Sequence, residues 1–286
     1  MDYAREMFGL DDKIVILTGG GGAIAGAMSE ALLKAGARIA LWDIVQEALD
    51  QAKERLADVA SGSGAGGSGA AAGSCTAERI FCRVVDATKE EDVAAAIRDT
   101  EEALGRPNVL INAAGGNRGK GPFLETDMEQ FEFVLRLNLV AGFMVPTKVT
   151  AGYWIENGVK GAVINLASMA SYVPLSGVWA YDAAKAAVMN LTMAAAKEFA
   201  PHGIRVNALA PGFFIGKQNK ALLIKNEATG ELTERGQQVI DRTPFGRFGD
   251  VSELAGATIF LAADNASGFV TGITLPVDGG FLIDNI

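Results

Sequence analysis

The chain is poor in the residues that most metal and hydrolytic chemistry needs. Its 286 residues include two cysteines, Cys75 and Cys82, and one histidine, His202. That stock cannot build a His/Cys-rich zinc site. The single histidine sits in a turn-like "APHG", which weighs against a Ser-His-Asp triad. The cysteines form neither a CxxC motif nor a disulfide framework, so a reducing cytoplasm is the expected setting. Basic residues are also scarce: 25 Lys and Arg stand against 34 Asp and Glu, giving a net charge of −9. No element concentrates Lys and Arg, so nucleic acid is not an expected partner. No apolar run reaches about 18 residues, so no membrane span is expected. The start, MDYAREMFGLDDK, lacks the apolar stretch of a signal peptide.

What is present is core-forming material. Hydrophobic residues make up 49% and the mean hydropathy is +0.21, enough for a large core. Short apolar runs at 13–18, 37–42, 80–85, 108–112, 161–167, 204–209 and 272–277 read as strands. Alanine- and leucine-rich helical patterns at 25–35, 46–60, 90–104, 127–155, 179–200 and 251–263 alternate with them. The alternation predicts an α/β fold, a doubly wound (Rossmann) seven-stranded parallel sheet with helices on both faces. No internal boundary interrupts it, so a single domain is expected over 1–286. Two segments break the rhythm. "SGSGAGGSGAAAGS", 61–74, reads as a flexible Gly/Ser-rich surface loop. Residues 212–250 follow the sixth strand and are half helical in pattern ("GKQNKALLIKNE", "ELTERGQQVIDR"). Insertions at that edge of a parallel sheet often cover the ligand, so a substrate lid is expected.

The run "LTGGGGAIAGAMSE" lies between the first predicted strand and the first long predicted helix. Backbone N–H groups at a helix N-terminus attract phosphate, and glycine lets the backbone come close. Gly20-x-Gly22-x-x-Ala25 fits the G-x-G-x-x-G/A form, and Asp43 follows about 20 residues on, at the end of the second strand. A carboxylate there binds the ribose hydroxyls of NAD and repels the 2′-phosphate of NADP. Taken without its context, the loop is a plain tight turn.

Tyr181 and Lys185, in "YDAAK", share a helix face at i and i+4, so phenol and ammonium can meet. A nearby cation lowers a tyrosine pKa, which suits a proton donor and acceptor. Such a pair alone also occurs on solvated faces. Here Ser168 ends the strand-like "GAVINLAS" thirteen residues before Tyr181.

With these residues in place the chain resembles the short-chain dehydrogenase/reductase family, from about residue 10 to 281. The motifs run in order: Thr18-Gly19 after the first strand, Asp86 after the third, and Asn112-Ala113-Ala114-Gly115 after the fourth. Asn138 follows in the next helix, then Ser168, Tyr181 and Lys185, then Pro211-Gly212 after the sixth strand. The sequence departs from the family pattern at Ala23, Ala25, Ala113 and Gly216. The resemblance implies hydride transfer between NAD and a carbon bearing a hydroxyl or carbonyl. It implies Tyr181 as general acid/base, and Lys185 as the residue that binds the nicotinamide ribose and depresses the tyrosine pKa. Ser168 would bind the substrate oxygen, and Asn138 would hold a water linking Lys185 to solvent. Simpler roles are a turn or cap for Ser168 and satisfaction of buried backbone groups for Asn138. The implied cofactor contacts are Gly19, Gly21, Gly22, Ile24, Asp43, Asp86, Ala87, Asn112, Ala113, Gly115, Tyr181, Lys185, Pro211, Gly212 and Ile215.

Within the family, "INAAGGN", "FEFVLRLNLVAG", "APGFFIGKQNKALL", "TPFGRFG" and "LPVDGGF" are similar to a D-mannonate oxidoreductase-like subgroup. That similarity implies a sugar-acid pair, D-mannonate and D-fructuronate. Residues past the fourth and sixth strands should line the pocket: Asn117, Arg118, Lys120, Lys217, Gln218, Asn219, Arg242 and Arg247. Together they suit a carboxylate and several hydroxyls, although each also reads as a solvated surface group. Trp179 reads equally as pocket wall or subunit contact. The resemblance further implies a homotetramer or homodimer. A dehydrogenase of another polyol or keto-sugar, or a non-enzymatic NAD-binding regulator on the same fold, are the alternatives.

Overall fold

A computed structural model describes residues 2–61, 79–215, 223–226 and 229–284. The chain opens with a short helix α1 (Tyr3–Phe8) and then alternates strands and helices. In order come β1 (Ile14–Thr18), α2 (Ala23–Lys34), β2 (Arg38–Asp43), α3 (Gln46–Ala60) and β3 (Ile80–Val84). Next are α4 (Glu90–Leu104), β4 (Val109–Asn112), α5 (Met128–Leu135), a π-helical segment (Arg136–Met144) and α6 (Val145–Glu156). The chain continues through β5 (Ala162–Leu166), α7 (Trp179–Phe199) and β6 (Arg205–Pro211). A two-stranded hairpin, β7 (Ile224–Asn226) and β8 (Glu231–Leu232), precedes α8 (Glu234–Asp241). Then α9 (Ala255–Ala262), α10 (Asp264–Ser267) and β9 (Thr274–Val277) complete the fold.

Seven parallel strands form one sheet in the order β3-β2-β1-β4-β5-β6-β9. All seven coincide with the expected apolar runs, and the order is that of a doubly wound fold. Alternation along β1 explains why both faces are covered. Val15 and Leu17 join Met28, Leu32, Leu41 and Leu209 in one core layer. Ile14 and Ile16 join Trp42, Val93, Ile97, Leu110 and Trp154 in the other. Strands buried on both faces need the continuous apolar runs seen in the sequence.

The helix expected at 127–155 is one continuous run, Met128–Glu156. By length and composition alone it is long and apolar enough to cross a membrane. Half of its most apolar window is buried inside the protein, however, and Trp154 belongs to the core. In the segment 212–250, Glu234–Asp241 is helical as expected, but Ile224–Asn226 is a strand. Antiparallel pairing of Ile224 with Leu232 across the turn at Gly230 (φ +72°) outweighs the local helical pattern. Most of the Gly/Ser-rich run 61–74, with Cys75, lies outside the described residues, as do Gly216, Lys217, Gln218 and Asn219.

Below the amino ends of the strands sits a charge cluster. Lys13, nearly buried, donates to Asp264 at 2.6 Å and to Asp12 at 3.0 Å. Arg205 adds a bond to the other Asp264 oxygen at 3.0 Å. Burial alone would raise the Asp264 pKa, but these cationic donors outweigh it and the net shift is downward. Asp264→Asn therefore leaves two cations short of a counter-charge. Because Asp264 is half exposed, solvent screening limits the loss to about 1–3 kcal/mol, read by urea denaturation. A lowered carboxyl pKa stabilises above its unfolded value of about 3.9 and ceases to do so as pH falls through the folded value. The difference between parent and variant should thus shrink below about pH 4.

Candidate active site

The strand ends converge on one edge. Thr18 is level with Asn112, Asn112 with Asn165, and Pro211 with Val277. The order changes direction between β1 and β4, so a crevice opens beside the glycine loop.

That loop is tightly constrained. Gly19 adopts φ +65°, and a Cβ there would lie 2.8 Å from the Cα of Ala114. A Cβ on Gly21 would lie 2.5 Å from that of Ala48 and 3.2 Å from Asp43 Oδ2. Close approach is therefore concentrated at 19–21. Ala23 and Ala25 already belong to α2: Ala23 is exposed, and Ala25 packs inside. Alanine at both positions is a helix former where backbone freedom is no longer needed. Gly22 caps α2 without any side-chain acceptor, so the helix presents its first N–H groups to the crevice with Ile24 in the opening turn. Asp43 closes the other side. Its Oδ2 accepts from Gly21 N at 3.0 Å, and its Oδ1 accepts from Val45 N at 3.1 Å. An open helix N-terminus, a backbone without Cβ atoms and a terminal carboxylate together fit a dinucleotide.

Around the crevice, Asp86 accepts from the Thr88 hydroxyl (2.7 Å) and amide, with Ala87 between them. The Thr88 hydroxyl lowers the Asp86 pKa despite partial burial, and the Lys89 contact adds to this. The amides of Ala113 and Ala114 both donate to Thr18 Oγ1 at 3.2 Å, which ties the loop after β4 to β1. The Asn112 side chain is engaged within the protein. Its Nδ2 donates to Thr147 Oγ1 and to Asn165 Oδ1, each at 2.8 Å, so its side chain points into the core. Asn165 passes the chain on to Thr192 of α7 at 3.0 Å. At β6, Gly212 N donates to Val277 O at 2.9 Å, and the half-buried Ile215 follows three residues on.

Asn138, Ser168, Tyr181 and Lys185, the tetrad that the family resemblance implies, lie close together. Gly115 is the wedge: a Cβ there would meet Asn138 Oδ1 at 2.7 Å and Lys185 Nζ at 3.4 Å. Asn138, fully buried in the π-helical segment, donates to Gly116 O (2.7 Å) and Val134 O (2.8 Å) and accepts from Gly116 N (3.2 Å). Its side chain thus clamps the loop after β4, the plainer of the two roles raised by the sequence. A π-turn at such a position is a common feature of functional sites. Lys185 Nζ donates to Leu166 O at 2.7 Å and stands 5.5 Å from the Tyr181 ring centroid. Burial brings the Lys185 ammonium down to about 8.

Tyr181 departs from the expectation. Its pKa is raised, because burial of the phenol outweighs the pull of the neighbouring Ser168 hydroxyl, and the Asp182 carboxylate pushes the same way. Lys185 aims its charge at a carbonyl rather than at the phenol oxygen, so the depression expected from the i,i+4 pair is not realised here.

Among the substrate candidates, Asn117 Nδ2 donates to Gly119 O at 2.9 Å, within its own loop. The Arg118 guanidinium lies 4.4 Å over Phe133. Trp179 Nε1 donates to Gly121 O at 3.0 Å and its ring meets Phe123 edge-on. Gly121 N in turn donates to Gly177 O, so the loops after β4 and β5 are stitched together four residues before Tyr181. Trp179 therefore braces the loop after β4 from within the same chain. Arg247 is committed to a bidentate pair with Glu253, at 2.7 Å for each bond, and Arg242 is exposed at the end of α8. Ser171, which sequence reasoning passed over, is buried between Ser168 and Lys185.

The geometry agrees with known proteins. A family model described as enoyl-(acyl carrier protein) reductase matches residues 21–282. An oxidoreductase of uncharacterised activity from Haemophilus influenzae is 36% identical, over 95% of this chain and 94% of its own. A solved structure described as a candidate D-mannonate oxidoreductase from Haemophilus influenza, with bound NAD, aligns at TM-score 0.84 and 33% identity, covering 99% of each chain. A gluconate 5-dehydrogenase from Burkholderia cenocepacia, solved with NADP and tartrate, aligns at TM-score 0.82 and 32% identity, covering 99% of this chain and 100% of that one. The chain belongs to the short-chain dehydrogenase/reductase family of nicotinamide-dependent oxidoreductases.

Proposed function

We propose that this protein is an NAD-dependent dehydrogenase acting on a secondary alcohol or ketone of a sugar acid, of the D-mannonate/D-fructuronate or gluconate type. The observation that carries this reading is the contiguity of the glycine cradle and the tetrad, with Gly115 wedged between Asn138 and Lys185. Relatives described as acting on mannonate and gluconate support the substrate class. Asp43, held against Gly21, supports NAD over NADP because its charge opposes a 2′-phosphate.

In this reading Gly19, Gly21, Gly22 and Ile24 receive the pyrophosphate, and Asp43 the adenine ribose. Asp86, Ala87, Ala113 and Gly115 line the adenine-to-ribose path, with Asn112 acting from behind through the core. Lys185 holds the nicotinamide ribose, and Pro211, Gly212 and Ile215 flank the nicotinamide end. When bound, NAD supplies the hydride acceptor. Ser168 orients the substrate oxygen, and Tyr181 takes its proton in oxidation or returns it in reduction. Asn138 keeps the loop after β4 in register for both. Arg118, Asn117 and Trp179 flank the substrate side, with Gln218 and Asn219 assigned there from sequence. The segment 212–250 covers the substrate within the single domain, and the scarcity of cysteine supports a reducing cytoplasm.

The test is NADH formation by purified protein with a panel of aldonates and polyols including D-mannonate and D-gluconate, run in parallel with NADP. Turnover on an aldonate with NAD is expected. Turnover confined to apolar alcohols would overturn the substrate class, and NAD binding without any turnover would favour the regulator.

We also propose a homotetramer, or failing that a homodimer. Phe133, Met144, Ile155 and Met193 are exposed on the helices at α5–α6 and α7, and Phe269 and Ile273 on the approach to β9. Such apolar exposure supports self-association. Light scattering on the eluted protein should give a mass near four times 29.8 kDa, or twice that value for a dimer; a monomer at micromolar concentration would refute it.

A further inference from the structure

We propose that Ser171 is a positioning residue for hydride transfer, holding the Ser168 turn and the catalytic helix in register with one hydroxyl. This rests on the tetrad reading above. Ser171 Oγ donates to Lys185 O at 2.6 Å and accepts from Ser168 N at 3.3 Å. The side chain is buried and reaches no other polar partner among the described contacts. It thus joins the backbones of two tetrad residues that lie 17 positions apart and on different elements.

α7 is also tied to the end of β5, where Lys185 Nζ donates to Leu166 O at 2.7 Å, and to the Ser168 turn through the Tyr181 and Ser168 hydroxyls. A side chain that also serves the cofactor is a poor sole anchor, since its amine must share its donors. Ser171 anchors the same residue through the main chain and leaves the amine free. Lys185 O lies inside α7, where the helix supplies its own N–H four residues on. The Ser171 bond is therefore additional to the helix, so its loss should spare folding and loosen docking. Tyr181 sits one turn earlier on the same helix, and its position relative to Ser168 follows from that docking. Misplacement of reacting groups by about 1 Å can cost about 100-fold in rate.

The experiment compares Ser171→Ala and Ser171→Thr in the full-length protein, with Ser168→Ala and Tyr181→Phe as controls. Ser171→Ala should lower kcat roughly tenfold, with substrate KM and the Kd for NAD within about twofold of the parent. Ser171→Thr, which restores the hydroxyl, should recover most of kcat. In the protein without cofactor, amide exchange over residues 166–172 should be faster in Ser171→Ala and near parental in Ser171→Thr. Unchanged exchange in Ser171→Ala overturns the inference without reference to any substrate. So does a parental kcat in Ser171→Ala when both controls are inactive, or an equal defect in the two Ser171 variants. Full turnover in the controls instead sinks the tetrad reading, and this inference with it.

Discussion

Tyr181→Phe is expected to lower turnover by about 10²–10⁴-fold while NAD binding stays within about twofold. The phenol is half-buried at the carboxyl edge of the sheet beside the Ser168 hydroxyl, and its ring is 5.5 Å from Lys185 Nζ. Phenylalanine fills the same space, so packing and the cofactor cradle remain, and only the proton carrier is lost. The pH dependence follows from the raised tyrosine pKa. Oxidation needs the tyrosinate, so its rate should climb with pH into the alkaline range. Reduction needs the phenol, so its rate should hold at neutral pH and fall only as pH passes the tyrosine pKa. Burial raises that point most, the Ser168 hydroxyl pulls it down and Asp182 pushes it up, while Lys185, itself brought down to about 8 by burial, stands near the ring. Both limbs should vanish in the phenylalanine variant. Unchanged turnover, or a persisting alkaline limb, would remove Tyr181 from the mechanism.

Asp43→Ala should weaken NAD by about 10–100-fold and relax discrimination against NADP by a similar factor. Hydrogen bonds to a charged group contribute about 1.5–3 kcal/mol, and each 1.4 kcal/mol is a factor of ten. Asp43 does two things here. It is placed to receive ribose hydroxyls, and it already accepts from Gly21 N and Val45 N, so it also shapes the phosphate loop. Asp43→Asn separates the two, because the amide oxygen still accepts from the loop while the charge is gone. If charge sets the preference, Asn and Ala should relax it equally, and only Ala should loosen the loop. Calorimetric titration of both dinucleotides against each variant measures this. Equal affinity for NAD and NADP in the unaltered protein would refute the assignment.

The sheet was legible because strand and helix are written in short-range periodicity. Val15 and Leu17 face one layer, and Ile14 and Ile16 the other, a two-residue alternation visible in KIVILT. The cradle was legible for a similar reason: a run of glycines between two elements reports local backbone demand, which Gly19 confirms with its positive φ. Tyr181 and Lys185 were readable as a pair because four residues make one helical turn.

What sequence could not show depends on groups that meet only after folding. Asn112 belongs to a motif associated with the cofactor, yet its register opposite Asn165 turns its amide into the core. Ile224–Asn226 carries a helical pattern, yet it pairs as a strand because Leu232 arrives beside it. Ser171 looks like one more small residue in "SMASY" until α7 brings the Lys185 carbonyl to 2.6 Å. The tyrosine pKa is the clearest case. Helical spacing alone places a cation near the phenol, but burial and the Leu166 carbonyl decide where the proton is held. By itself the sequence determined the sheet, the glycine turn and the pairing of Tyr181 with Lys185 on one helix face, since these rest on neighbours within a few residues. Only the tertiary structure decided their orientation, partners and acidity, because desolvation and hydrogen bonding arise between segments that the chain brings together from tens of residues apart.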